Sequence, residues 1–521
     1  MKQIFFSAIA ATLSLNGLST ASLHTGKDHA SFSALRGHWT KFNCCSALSK
    51  ELGDKIVFPD SSPYEESIAS YWSAQEEAVS PSCVVLPESP EDVAVAVATL
   101  KHSRGHVGNH DGCQFAVRSG GHTPWAGAAN IEDGVTIDLG DFNQVEVSPD
   151  RSTVTIGPGS SWRDVYEVLI PRGLATGGGR IANVGVGGLV LGGGVSFFSP
   201  RKGFVCDGVK RFEVVLASGR VVNATQDSHR DLWLALKGGS NNFGIVTAIE
   251  QEVFDQGDLW GGSVGFDEST FDQQFAAFEA FTGNPDYDPY ASLIHSMIYN
   301  FTSKTWFTIA QFEYTKPEAY PPVFENFTSL PTTFSTTRIS NLTDLTEELA
   351  VSNPRGQRRM FDTSTYSNSA EMLKQIFLMA NETVRQLEEV AGLIFILSSQ
   401  PEPTIIQKAS AEAGGNSLGL TVEDGPLFNF QWTLTWDDAE DDELVEQQVR
   451  DAYNQAEHKA RELGVQQKFI YLNYAAPWQD PIGGYGEVVV QRLQHVTRKY
   501  DPTGVFQKQV PGGFKLFNQW T

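Results

Sequence analysis

The chain has 521 residues, too many for one hydrophobic core, and a length prior argues for roughly two to four compact units. It is 41% hydrophobic and 11% aromatic, as ordinary globular proteins are, with 48 glycines gathered in a few stretches. The formal net charge of −24 would repel a phosphate backbone, so nucleic acid is excluded as a partner and the charge is read as a solubility device.

In chain order, residues 1–22 read as a secretory signal peptide: Lys2 precedes an apolar run, and the small residues Ser19, Thr20, Ala21 and Ser22 follow it. The run is short of the ~20 apolar residues a bilayer span needs. No later segment is long enough either, so a soluble, secreted protein without a membrane partner is expected. Residues 23–75 form an N-terminal extension. Glycosylation sequons stand at Asn223, Asn300, Asn326, Asn341 and Asn381. The export route permits disulfides among Cys44, Cys45, Cys83, Cys113 and Cys206. Adjacent Cys44 and Cys45 are expected to take different partners, with Cys83 and Cys113 as candidates and the connectivity open. Cys206 is expected to be a buried free thiol.

A short strand then ends at Pro87, and Ser89 caps a helix with Pro90 in its first turn. Strands are expected at Phe115–Arg118, Val135–Leu139, Val145–Val147 and Thr153–Ile156, and a helix from Trp162 to Ile170 capped by Ser160 or Ser161. A glycine-dense stretch runs from Gly177 to Gly203. A hairpin over Phe212–Val222 turns at Ser218 and Gly219, and a helix at Asp231–Leu236 leads to a strand at Ile245–Glu250. From about residue 256 the texture changes: aromatics become dense and four of the five sequons occur. Phe307–Phe312 and Phe428–Trp436 alternate as strands do, the second with Phe428, Phe430, Trp432, Leu434 and Trp436 on one face. Helices are expected at Ser369–Ala391 and Glu440–Leu463, then a strand at Lys468–Leu472 and a helix at Tyr485–Lys499 stopped by Asp501 and Pro502.

Four motifs carry chemistry. Arg118-Ser-Gly-Gly-His122 is a turn whose amides can cradle phosphates, with a histidine held beside whatever it binds. Gly177 to Gly194 interleaves glycine with Val and Leu, which suits backbone lying against a pyrophosphate and a planar ring. It is not the Rossmann fingerprint, because Val190 stands where the third glycine of that motif belongs. Gly238 to Val246 is a third polar, glycine-rich turn entering a strand, and Tyr471-Leu-Asn-Tyr474 is the fourth.

In this order, the set resembles the vanillyl-alcohol-oxidase/p-cresol-methylhydroxylase (PCMH) superfamily in its berberine-bridge-enzyme-like branch, closest to secreted fungal FAD-linked oxidases of secondary metabolism. The resemblance implies an α+β fold: a PCMH-type FAD-binding domain of two subdomains over residues 76–255, and a substrate domain over 256–464 with an antiparallel sheet covered by helices. A C-terminal segment over 465–521 returns to the flavin. It implies FAD bound covalently through His122, with Arg118, Ser119, Gly120, Gly121 and Thr123 in the phosphate turn. Val184, Gly185, Gly188, Gly192, Val209, Gly239, Asn242, Gly244, Val246 and Asn473 lie along the cofactor. Ile181 stands where many relatives carry a second, cysteinyl link, so one covalent bond is expected. Leu189 stands where many carry a histidine.

The resemblance also implies a base, Tyr474 with Tyr471 in reserve. A free tyrosine has a pKa of about 10, so a base of this kind needs a neighbouring cation or a donor to its phenolate; the sequence does not say which group supplies it. A small residue at Val184 resembles the oxygen-reactive members. The expected activity is two-electron oxidation of a small-molecule alcohol or secondary-metabolite intermediate by a monomeric oxidase, with molecular oxygen as acceptor, hydrogen peroxide as product and no metal. Two alternatives stand beside it. One is a flavin-binding protein without catalysis. The other is a serine hydrolase using Ser417 of Gly415-Asn-Ser-Leu-Gly419, although that motif lacks the strand and helix a nucleophile elbow requires.

Overall fold

The computed structural model describes residues 44–102 and 113–517; the expected signal peptide lies outside them. A helix at residues 44–52 opens the described chain. Cys44 is bonded to Cys113 and Cys45 to Cys83, so the adjacent cysteines do take different partners, and Cys206 is a buried free thiol.

Strands Ile56–Val57, Cys83–Val85, Val135–Asp138 and Phe115–Arg118 lie side by side in that order. The last three run parallel, and Ile56–Val57 pairs antiparallel with Cys83–Val85. Part of the expected N-terminal extension is thus built into the first sheet. Helix Pro90–His102 follows Cys83–Val85, capped by the Ser89 hydroxyl, which accepts from the Asp92 amide at 3.2 Å. The nearly continuous burial of these strands explains their run of Val and Ile, since parallel sheets are covered on both faces. The carboxyl end of Phe115–Arg118 delivers the Ser119–Thr123 turn.

A second, antiparallel sheet has the order Val145–Val147, Thr153–Ile156, Ile245–Glu252, Val209–Val215, Val221–Thr225. Its hairpin turns at Gly219, where φ is +78°. Helix Trp162–Leu169 is capped by Ser161 in a reciprocal box with Asp164. The glycine stretch contains two short helices, Val186–Leu191 and Ser199–Lys202, and glycine density hides the periodicity of the first.

The third layer is an eight-stranded antiparallel sheet. Its central strands Ala291–Asn300, Ile394–Glu402 and Leu427–Trp436 present Met297, Leu397, Phe430 and Trp432 to helices Phe271–Thr282, Ala370–Gln386 and Asp442–Leu463. The alternation read from Phe428–Trp436 places all five of its large residues in that core. The opposite face, with Gln400, Glu402, Glu313 and Phe361, is turned toward the glycine stretch and the C-terminal segment.

One expected element is absent. Residues 468–471 form no strand, and Leu472–Tyr474 is a single 3-10 turn. Phe469, Tyr471 and Leu472 are buried in the core of the second sheet's layer, but no strand among the described residues pairs with them. The apolar residues therefore serve packing in an irregular segment. The helix after it runs Glu487–Tyr500 and ends at Asp501.

Candidate active site

Three stretches of chain meet between the layers. The first is the Ser119–Thr123 turn. Arg118 does not face outward from it. Its buried guanidinium donates to the Ser67 carbonyl and the Ser70 hydroxyl, pairs with Asp138 at 3.3 Å and lies over the Tyr71 ring at 3.9 Å. Arg118 therefore props the turn from behind. The N–H groups of residues 119–123 find no acceptor among the described residues.

The second stretch carries Gly185 and the short helix. Gly120 and Gly185 touch backbone to backbone: a Cβ on either would stand 2.6–2.7 Å from the other's Cα. Any side chain at either position would push the turn off the helix. Gly188, by contrast, is exposed and has open space within 4 Å. The first-turn amides of Gly187 and Gly188 have no acceptor within the helix, as at any helix start. A row of unmet amide donors beside open glycine backbone is the donor set a pyrophosphate and a flat ring would use, so these residues fit the FAD that the motifs imply.

His122 closes the turn. Its ring stacks on Trp72 at 3.9 Å, with 15° between the planes. Asn353 Nδ2 lies 3.3 Å from His122 Nε2. Arg359 donates to Asn353 Oδ1 at 2.9 Å, which turns the amide nitrogen toward the imidazole and makes Nε2 the acceptor. Burial, with the Arg359 and Arg355 charges, pushes the His122 pKa down to about 3, so the imidazole is neutral at physiological pH. Neutral imidazole is the nucleophilic form.

The third stretch is the C-terminal segment. Asn473 Nδ2 donates to the Leu189 carbonyl at 3.1 Å and to the Tyr471 hydroxyl at 3.0 Å. A Cβ on Gly192 would lie 2.0 Å from Asn473 Oδ1, so glycine is needed there for the two segments to meet. Tyr471 and Tyr474 stand edge to face at 4.8 Å, and Tyr474 also meets Phe361. Burial, with Tyr474 beside it, pushes the Tyr471 hydroxyl far above the usual phenol range and keeps it protonated. Tyr474 is half-buried, and its hydroxyl accepts from Arg180 Nη2 at 2.9 Å. The same guanidinium nitrogen donates to Gln400 Oε1.

The sequence-derived set divides in two. His122, Ser119, Gly120, Gly121, Thr123, Gly185, Gly188, Gly192, Asn473, Tyr471 and Tyr474 belong to the three converging stretches. Val184 joins them at the turn before the helix, its carbonyl accepting from the Trp162 amide at 3.0 Å. Gly239, Asn242, Gly244, Val209 and Val246 lie behind, in the second sheet and the loop entering it. There Asn242 donates to the carbonyls of Gly239 and Phe514, tying that loop to the C-terminal segment. Trp72, Arg180, Asn353, Arg359 and Gln400 were missed. Only Arg180 lay inside a motif; the others come from remote segments with no local signal. Ser417 is buried and its hydroxyl donates to the Leu234 carbonyl at 2.7 Å, which leaves it no role as a nucleophile.

Comparison with known proteins places these features in context. Residues 81–225 match the model of the FAD binding domain. The chain is 42% identical to the FAD-dependent monooxygenase sdcF of Emericella nidulans over 478 residues, 91% of this chain and 98% of the relative. Among solved structures it is similar to Physcomitrella patens BBE-like 1, with a TM-score of 0.72 at 19% identity, covering 91% of this chain and 100% of the other. It is equally similar to the xylooligosaccharide oxidase of Myceliophthora thermophila in complex with xylobiose, with a TM-score of 0.72 at 19% identity, covering 91% and 99%.

Proposed function

This chain belongs to the FAD-dependent oxidoreductases of the vanillyl-alcohol-oxidase/PCMH and berberine-bridge-enzyme-like family, and from that premise we propose that it is a secreted, monomeric oxidase taking two electrons from a small-molecule alcohol or secondary-metabolite intermediate. When bound, FAD supplies a hydride acceptor that molecular oxygen reoxidises, with hydrogen peroxide as product. The protein supplies the rest. The amides of Ser119, Gly120, Gly121 and Thr123, with Gly185, Gly188 and Gly192, hold the pyrophosphate and ring. Val209, Gly239, Asn242, Gly244 and Val246 shape the wall behind. His122 is the covalent tether, and Ile181 provides no second one. Tyr474 receives the substrate's hydroxyl proton, Tyr471 fixes its ring, and Asn473 ties Tyr471 to the Val186–Leu191 helix.

The observation that carries this reading is the convergence itself: a neutral histidine, an open glycine backbone and a cation-held tyrosine hydroxyl come together from three distant stretches of chain. The test is peroxide release by purified protein against alcohols, oligosaccharides and polyketide-type compounds, one peroxide per product. Tyr474→Phe is expected to keep the flavin and slow its reduction about a hundredfold or more, the scale for a lost general base. Normal reduction in that variant with a crippled Tyr471→Phe would move the role to Tyr471.

A second reading has support in the names of the relatives, several of which are called FAD-dependent monooxygenases. In it, one oxygen atom enters the product. Turnover under ¹⁸O₂ separates the two: label in the product with less than one peroxide per turnover favours the monooxygenase.

A further inference from the structure

We propose that Trp72, Asn353 and Arg359 are positioning residues that aim the His122 imidazole for its bond to the flavin, so that the tether is set by the layer of the large sheet and not by the histidine turn alone. The inference rests on the reading of His122 as the tether and names the residues that present it.

The four side chains close a ring. His122 stacks on Trp72 at 3.9 Å with 15° between the planes, which fixes the plane of the imidazole. Asn353 Nδ2 meets His122 Nε2 at 3.3 Å, which fixes the rotation within that plane. Arg359 Nη1 donates to Asn353 Oδ1 at 2.9 Å, and its guanidinium carbon lies 4.0 Å from the centre of the Trp72 ring. Arg359 is only 3% exposed. Burying a guanidinium is costly unless acceptors meet it, and its others, the Pro354 carbonyl and the Gln357 side chain, belong to the same short segment.

That segment, residues 353–359, leads into strand Arg358–Ser367 of the large sheet and is clasped to the turn. The Trp72 amide donates to the Gly121 carbonyl at 3.3 Å, and the Trp72 carbonyl accepts from the Gly356 amide at 3.0 Å. The Ala74 amide donates to the Gln357 carbonyl at 3.0 Å, and the Gln75 side chain bonds both the N–H and the carbonyl of Arg359. Asn183, in the glycine stretch, donates to the Asn353 carbonyl at 3.1 Å. Asn353 and Arg359 are thus fixed to the first and second stretches of the site as well as to their own strand.

The hydrogen-bond pattern suits a tethered ring. With Asn353 donating to Nε2, the hydrogen of the neutral imidazole sits on Nδ1. A bond from Nδ1 to a methyl carbon of the flavin ring replaces that hydrogen and leaves Nε2 the acceptor it already is, so Asn353 keeps its bond throughout. One N–H bond and one methyl C–H bond break, and one N–C bond forms. The two electrons released reduce the flavin, and molecular oxygen takes them with both protons as hydrogen peroxide. A ring freed to rotate loses the geometry on which such a step depends.

The test uses flavin-loaded protein and needs no substrate. Total bound flavin, the share of it that stays with acid-precipitated protein, and the melting temperature are measured in wild type, Asn353→Leu, Arg359→Met and Arg359→Lys. Asn353→Leu and Arg359→Met are expected to bind flavin and melt near wild type, yet to release most of their flavin to the acid supernatant. Arg359→Lys, which keeps a donor for Asn353, should return most of it to the pellet. A merely structural role would lower total flavin and melting temperature together and leave the tethered share of the bound flavin unchanged; that outcome overturns the inference, as does a wild-type share in both variants. If one of the two does not fold, the other decides by the same share. If neither folds, Asn353→Gln decides: its amide is displaced by a methylene, so a wild-type share there overturns the inference. Flavin freed by acid from wild type would instead remove the tether reading itself, which separates the two failures.

Discussion

At the scale of single residues, Val184 carries a prediction about oxygen. It sits at the turn between Arg180 and the glycine helix, half-buried. Oxygen must reach the reduced ring, and one extra methylene in a close-packed interior can fill the path. Val184→Leu is expected to slow reoxidation in aerated buffer several-fold in stopped flow while reduction by substrate stays nearly unchanged. Equal reoxidation rates would show that Val184 does not control access. Reduced wild-type flavin persisting for minutes in air would make the enzyme a dehydrogenase. The convergence of His122, Tyr474 and Asn473 was legible because their motifs mark the turns that meet between the layers. Trp72, Asn353 and Gln400 were not, because each lies in a segment of ordinary composition and matters only through what lies across from it. Arg118, expected to bind the cofactor, turns its guanidinium away from the turn, because nothing local says that Ser67, Ser70 and Asp138 wait behind the strand.

At the scale of elements, the contact between the Ser119–Thr123 turn and the start of helix Val186–Leu191 is the joint on which the proposed cofactor site depends. Gly120→Ala and Gly185→Ala each bring a Cβ to within 2.6–2.7 Å of backbone that cannot yield cheaply. Both variants are expected to fold, since the two sheets are built elsewhere, but to be purified with far less flavin than wild type. Gly188→Ala, with open space around it, would also lose flavin if the ring and phosphates lie there. Full flavin content in all three would refute the assigned cradle. Strands and helices with clean periodicity were readable, as Phe428–Trp436 shows. The stretch at Lys468–Leu472 was misread because apolar residues bound for a core look the same whether or not a partner strand exists. The short helix was missed because glycine density masks helical periodicity.

At the scale of the whole molecule, the site exists only where three layers meet, so its chemistry is bound to global stability. Glu313 and Glu402 are buried facing Arg180, with pKa values raised to about 8 and about 7. A carboxyl whose folded pKa is raised holds its proton longer in the folded than in the unfolded chain. It therefore contributes stability at low pH that is lost as pH rises from the unfolded value of about 4.3 through the folded one. Glu313→Gln is expected to melt closer to, or above, wild type at pH ~9 than at pH ~5, by a few degrees. A melting difference that is the same at both pH values would contradict the burial assigned to Glu313. A flavin tethered by the neutral His122 in the turn is tested most directly by acid precipitation of the purified protein. The predicted result is a yellow protein whose flavin stays with the denatured pellet in wild type and passes to the supernatant in His122→Ala. Colourless wild-type protein, or flavin released wholly by acid from wild type, would contradict it.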